Sequence, residues 1–348
     1  MKRFALVAAA ALIIGTGGVI TATQVEAWGS SGHRWVGVAA MRALPDDLPD
    51  FMRDPGFIAD VGEFSREPDR TKGAGQPHDR ERDTAHFVDL DDEGRVMTSA
   101  GMTLAELPRL KSEYDARLQA AGIDVDDAGY LPYAIMDAYQ HLQRDFATWR
   151  VLHAAEQREP DLAKRAWYRE DRLRREAVIA RDIGYLSHFI GDAAQPLHMS
   201  IHYNGWGDYP NPEGFTNSRQ THGMFEGAFV RRNTRLDAVE AGMSAPQLNG
   251  FDLRARTAAY LTSSHAEVIP FYRLEKAGAF RTDANGVAPA AGAEFATVRL
   301  AAGASELRDF ITLAWREAGT VSIGWPAVKV AEVEAGTADA WSAMAGDD

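Results

Sequence analysis

Apolar residues return at three- and four-residue steps along most of this chain, the period of an amphipathic helix. The pattern predicts helices over residues 34–44, 132–155, 161–191, 253–274, 294–318 and 326–344. In the third of these, Ile179, Ile183, Leu186 and Ile190 form an apolar stripe, so one face of that helix should lie on a core. Period-two alternation is scarce, and residues 85–90 are the best strand candidate. Clusters of Gly, Pro, Asn and Asp predict loops over 65–83, 203–218 and 281–292. The expected class is all-α, a multi-helix fold. No Pro/Ser-rich linker or internal repeat divides residues 28–348, which are expected to form a single domain.

The first residues read as an export signal. Lys2 and Arg3 precede an apolar core over 4–14, and Val25-Glu26-Ala27 offers a small-residue cleavage site. That core is shorter than the roughly 20 residues that span a bilayer. Residues 1–27 are therefore expected to be a cleaved signal peptide, leaving Trp28 as the first mature residue. A periplasmic or secreted protein is expected, monomeric and without stable membrane association after cleavage. The 348 residues include no cysteine, which excludes disulfides and thiolate metal sites. Any transition metal must be held by His, Asp, Glu or backbone groups. The net charge of −13 opposes long-range attraction of polyanions, so a nucleic-acid substrate would need local positive charge, which bound cations can supply.

The segment HFIGDAAQPLH, residues 188–198, concentrates the chemistry. His188 and Asp192 are four apart and share a helix face opposite the apolar stripe, where both can reach one metal ion. Pro196 ends that helix and delivers His198 just beyond it. THGMFEGAF repeats the arrangement with His222 and Glu226, beside Phe225 and Phe229 as core residues. Upstream, REPDRTKG supplies Asp69, and TAHFVDLDD supplies His86 among apolar neighbours that imply burial. Taken singly, His86 could be a core histidine, Asp69 a turn residue and Glu226 a solvated charge. Together they make an all-N/O ligand set suited to zinc. Trp28 then gains a reason: its freed α-amine and its carbonyl can chelate a metal in a five-membered ring, and His33 can add an imidazole.

The motifs WGSSGH, AHFVDLD and HFIGDAAQPLH resemble those of the zinc-dependent phospholipase C and single-strand nuclease superfamily, specifically the S-one and P-one type nucleases and their bacterial relatives. The resemblance covers residues 28 to about 230. It implies an all-α phospholipase C/single-strand nuclease-like fold around a trinuclear zinc site. One zinc would take Asp69, His86, His188 and Asp192, and a second would take His198, His222 and Glu226. The third would take the Trp28 amine and carbonyl, His33 and a shared Asp192. The implied activity is hydrolysis of single-stranded DNA or RNA, and of the 3′-phosphates of nucleotides, by zinc-bound hydroxide. Asp69 and Lys72 would serve catalysis, Lys72 by stabilising transition-state charge. Phe87 would stack on a nucleobase and Asp89 would bond to its edge.

Glu226 departs from the nucleases, which place Asp there, and matches the phospholipases. The five-residue step from Trp28 to His33 and the long step from His198 to His222 match the nucleases, and Ser31, Arg70 and Asp83 differ from a choline site. Asp60 rivals Asp69 as the first-zinc aspartate; its distance from His86 and its place before Lys72 favour Asp69. The aromatics Tyr203, Trp206, Tyr209 and Phe215, in a loop between two ligands, are expected to border the substrate, with His202 in a supporting position at best. Two alternatives stay open: a zinc-dependent phospholipase C, and a non-catalytic zinc-stabilised structural or interaction module.

Overall fold

A computed structural model describes residues 28–73, 75, 82–97 and 101–346. The expected signal peptide lies outside the described residues. The helices that build the scaffold and the site are α1 (Gly29–Arg42), α2 (Pro55–Phe64), the short α3 (Glu67–Thr71), α4 (Lys111–Ala120), α5 (Leu131–Arg158), α6 (Leu162–Ala194), α7 (Leu253–His265), α8 (Val268–Lys276) and α9 (Ala290–Ala318). The chain is mostly helical, as its apolar spacing predicts.

The scaffold is an α5–α6 hairpin crossed by α9, with α1 and α2 packed on α6. Asp161 sets the start of α6, its carboxylate accepting from the amides of Ala163 and Lys164 at 2.8 and 3.0 Å. The stripe Ile179, Ile183, Leu186 and Ile190 is fully buried. So is the other side of the same stretch, where Ser187, His188 and Asp192 have no exposure either, so the second half of α6 runs through the interior. Small residues make this possible. A Cβ on Gly184 would stand 2.4 Å from Phe64 Cβ, and one on Gly303 would stand 3.2 Å from Ala194 Cβ.

Several expected elements take a different form. Residues 85–90 do not form a strand: a 3-10 turn, Thr84–His86, is followed by extended chain that makes a ladder bridge from Leu90 to Val96. The local partner of Val88 is the carbonyl of His198, at 2.9 Å, rather than a neighbouring strand. The helix expected over 326–344 is instead an antiparallel pair, β3 (Ser322–Ile323) with β4 (Val328–Lys329), followed by short helices Val330–Ala335 and Trp341–Ala345. The first strand pair, β1 (Arg95–Val96) with β2 (Met102–Thr103), was not expected. The helix over 253–274 divides into α7 and α8 at Ala266 and Glu267. Within the predicted loop 65–83, α3 carries Asp69 on a single turn and a half.

Candidate metal centre

Several parts of the chain meet at the buried end of α6, among them the 3-10 turn with His86 and the segment 221–229 with His222 and Glu226. The last turns of α6 bring His188 and Asp192, the following 3-10 turn Pro196–Met199 brings His198, α1 brings His33, and α3 brings Asp69. Helix α1 is preceded by a left-handed cap residue, Trp28 (φ 37°), whose indole is wholly buried and donates to the carbonyl of Gly191 at 2.5 Å. That bond ties the predicted mature start to the turn between His188 and Asp192. Gly29 lies against the backbone of Glu226 and Gly227, where a Cβ would approach to 3.2 and 3.3 Å.

Three groups of side chains are suited to holding metal ions: His86, His188 and Asp192; His33, Asp69 and His188; and His198, His222 and Glu226. In the first, His86 Nδ1 and His188 Nε2 lie 3.0 and 3.1 Å from Asp192 Oδ2 and 2.9 Å from each other. Asp69 Oδ1 completes it at 3.8 and 3.9 Å from these nitrogens. Ligands of a tetrahedral zinc, at bonds of about 2.0–2.1 Å, stand roughly 3.4 Å apart, so these separations bracket the required edge. Both aspartates turn their other oxygen toward His33, whose Nε2 is 3.4 Å from Asp192 Oδ1 and 3.9 Å from Asp69 Oδ2. Asp69 and Asp192 thus bridge two neighbouring groups. In the third group, His222 Nε2 and His198 Nε2 lie 2.7 and 3.5 Å from Glu226 Oε2.

The surrounding backbone fixes the imidazole tautomers. His188 Nδ1 donates to the carbonyl of Ser65 at 2.8 Å, and His198 Nδ1 donates to the carbonyl of His86 at 2.6 Å. Each leaves the Nε2 lone pair facing the cluster, the arrangement that metal-binding histidines use. Gln195 spans two elements: its amide nitrogen donates to Glu226 Oε2 at 3.1 Å while its oxygen caps Leu197 at 2.8 Å. Ser65 and Gln195 were not singled out from sequence. Gln195 stands inside the HFIGDAAQPLH motif, but Ser65 acts through its carbonyl, which leaves no side-chain signature.

The electrostatics suit a cation. Asp69 Oδ1, Asp192 Oδ1 and Glu226 Oε1 are buried and accept no hydrogen bond. Burial pushes the Asp69 and Asp192 carboxyls up to about 7, with charge on Asp192 adding to the rise at Asp69. Burial also lowers His86 and His188, which favours the neutral, ligating imidazole. At Glu226 burial acts upward, but charge on His222 and hydrogen bonds from His198 and His222 outweigh it and bring the carboxyl down to about 2. Buried carboxylate oxygens without donors are destabilising unless a metal or proton satisfies them. The donor set of imidazole and carboxylate fits zinc.

The rival aspartates separate cleanly. Asp60 is exposed on α2, while Asp69 has 13 % of its side chain exposed and faces His33, His86 and His188. Lys72, half-buried at the C-terminal end of α3, lowers the Asp69 and Asp192 carboxyls by its charge. Phe87 is half-buried beside Gly129, where any Cβ would strike the Phe87 carbonyl. Asp89 is buried with its Oδ1 accepting no hydrogen bond, and burial together with Asp127 pushes its carboxyl well above the usual range. The aromatic loop divides. Trp206 and Phe215 pack inward with Tyr272, whereas Tyr203 and Tyr209 are 52 % and 43 % exposed. His202 does not approach the cluster: its Nδ1 bonds to the Trp206 carbonyl at 2.7 Å and its Nε2 lies 3.0 Å from Asp92 Oδ1.

Glu226 sits in an unusual element, the π-helical stretch Met224–Phe229 that follows Thr221–Gly223. Such wide turns are rare and are found frequently at functional sites. No protein-family model matches the chain, and no curated protein sequence matches it either.

Proposed function

We propose that this chain is an exported zinc-dependent phosphodiesterase that hydrolyses single-stranded nucleic acid. The observation that carries the metal part of this reading is the convergence of buried carboxylate oxygens without donors on imidazole nitrogens whose tautomers are already set. The substrate part rests on the resemblance of the WGSSGH, AHFVDLD and HFIGDAAQPLH motifs to single-strand nucleases.

Asp69, His86, His188 and Asp192 would hold one zinc, and His198, His222 and Glu226 another. His33 and Asp192, with the backbone of Trp28, would hold a third. Bound zinc would supply Lewis acidity, lowering the pKa of water and offsetting charge on the phosphate. Asp69, whose two oxygens face His33 and His86, would orient an attacking water held at its zinc. Lys72 places a cation where negative charge accumulates on the reacting phosphate. By the resemblance Phe87 would stack on a base and Asp89 would bond to its edge; Phe87 is half-buried and Asp89 is buried, so a base would reach Asp89 only if its surroundings open.

The test is a substrate panel for the mature chain: single-stranded DNA, double-stranded DNA and phosphatidylcholine, with and without EDTA. Release of acid-soluble nucleotides from single strands, lost on chelation, is the expected result. Preferential cleavage of phosphatidylcholine would transfer the same metal chemistry to a lipid substrate and overturn the nuclease reading.

A further inference from the structure

A groove of about 1340 Å³ opens beside His86. Its lining is electrostatically unlike the rest of the molecule. The whole chain carries 50 acidic against 37 basic residues. The groove reverses this balance: Arg70, Arg82, Arg109, Lys111, Arg181 and Arg254 line it against the acids Asp137, Asp182 and Asp252. Members of both signs are already engaged: Asp182 accepts from Arg181 at 3.0 Å, Asp252 caps α7 by accepting from Ala255 at 2.8 Å, Arg70 is ion-paired with Glu67, and Arg254 donates to the Leu107 carbonyl. With the Arg181–Asp182 and Arg70–Glu67 pairs set aside, Arg82, Arg109, Lys111 and Arg254 still outnumber Asp137 and Asp252 in the lining.

One wall is paved by α6 itself. Phe189, Tyr185 and Arg181 follow one another at four-residue steps, so they lie on one helix face and extend about 12 Å away from the cluster. Phe189 stands edge-on to His86 with ring centroids 6.0 Å apart, which puts the near end of the stripe at the candidate metal centre. Tyr185 and Phe189 are both half-buried, and the Arg181 guanidinium lies over the Tyr185 ring, 4.2 Å from its centroid. Further cations line the groove: Arg109 and Arg254 are exposed, and Lys111 sits 3.9 Å over the Tyr130 ring.

Alternating rings and cations beside a phosphate-directed site suit one occupant, a flexible polyanion with stackable bases. We propose that this groove is a track for a single nucleic-acid strand, in which Arg109, Arg181 and Arg254 bind phosphates beyond the reacting one and Tyr185 and Phe189 support bases. It rests on the proposed function and deepens it, because it makes the enzyme prefer strands of several nucleotides over minimal substrates. It also gives an acidic protein a local means of holding a polyanion that does not depend on the metals alone.

The test compares the native sequence, Arg109→Gln/Arg181→Gln/Arg254→Gln and Tyr185→Ala, each as the mature zinc-loaded protein, on a 12-nucleotide single strand and on bis(p-nitrophenyl) phosphate. The triple variant should lose at least tenfold in kcat/KM on the strand relative to the small diester, mainly through KM. Its log KM for the strand should also depend less steeply on log salt, by about 2, at roughly 0.7 per phosphate contact. Tyr185→Ala should lose strand preference while keeping the salt slope. An unchanged ratio, or an equal loss on both substrates, overturns the track. If the native protein hydrolyses neither substrate, the proposed function has failed, and fluorescence anisotropy with the labelled strand decides the groove separately. Tighter binding by the native sequence than by the triple variant then supports the track, and equal binding or none overturns it.

Discussion

At Asp69 and Asp192 the charge state and the metal are two answers to one problem, a carboxylate buried without donors. With folded pKa values of about 7 against an ordinary 3.8, both groups hold more protons in the metal-free folded chain than in the unfolded chain between about pH 4 and 7. Their contribution is therefore fully present below the unfolded value and lost as pH rises through 7. Zinc binds the deprotonated form and reverses the trend. Below about pH 6.5 the lowered His86 and His188 oppose this trend, so thermal unfolding should show the Tm of metal-free protein falling between about pH 6.5 and 8, and the rise in Tm on adding zinc should be larger at pH 8. An equal or larger zinc effect at pH 5 contradicts this assignment. Residue types and spacing made most of these candidate ligands legible, because imidazole and carboxylate at four-residue steps are a chemical pattern. What sequence did not reveal is which oxygen faces which nitrogen, and that Asp69 and Asp192 each reach toward two groups. The supporting contacts from the Ser65 carbonyl and Gln195 depend on tertiary placement in the same way.

Helix α6 shows how an element can be read correctly in outline and still hold more than its pattern states. The apolar stripe predicted a helix with one buried face, and the helix runs from Leu162 to Ala194. Its second half is buried on the functional side as well, which needs Gly184 to pass Phe64 and Gly191 to pass His33. Gly184→Ala places a methyl 2.4 Å from Phe64 Cβ and 3.0 Å from the Ser65 amide nitrogen. The strain of forcing α2 outward should destabilise the fold by about 1–3 kcal/mol and shift the Ser65 carbonyl off His188. Urea unfolding and zinc titration check both effects. A variant of native stability and native zinc affinity would contradict the packing described. The elements that sequence missed are those whose pairing is non-local or very short. His86 sits in a 3-10 turn rather than a strand because the following backbone bonds to His198, and the 322–329 hairpin rests on two residues per strand. Trp28 belongs to this scale too, since its indole bond to Gly191 joins the start of α1 to the last turns of α6.

Taken as a whole, the molecule sets an acidic surface around an imidazole–carboxylate centre and keeps a cationic groove beside it. Among the described residues no helix is long and apolar enough to cross a membrane. The all-α class was legible because helical period persists over long stretches, while the groove was not, since its walls come from segments far apart in the chain. The central claim is that zinc held by these side chains is what makes the protein a phosphodiesterase. The most direct measurement returns zinc stepwise to metal-stripped mature protein while counting bound zinc and following single-stranded DNA hydrolysis in the same samples. No hydrolysis without zinc, rising to its full rate as three ions bind per chain, is the predicted result. Full-rate hydrolysis by the stripped protein, or a chain that binds three zinc ions and cleaves no phosphodiester, would contradict it.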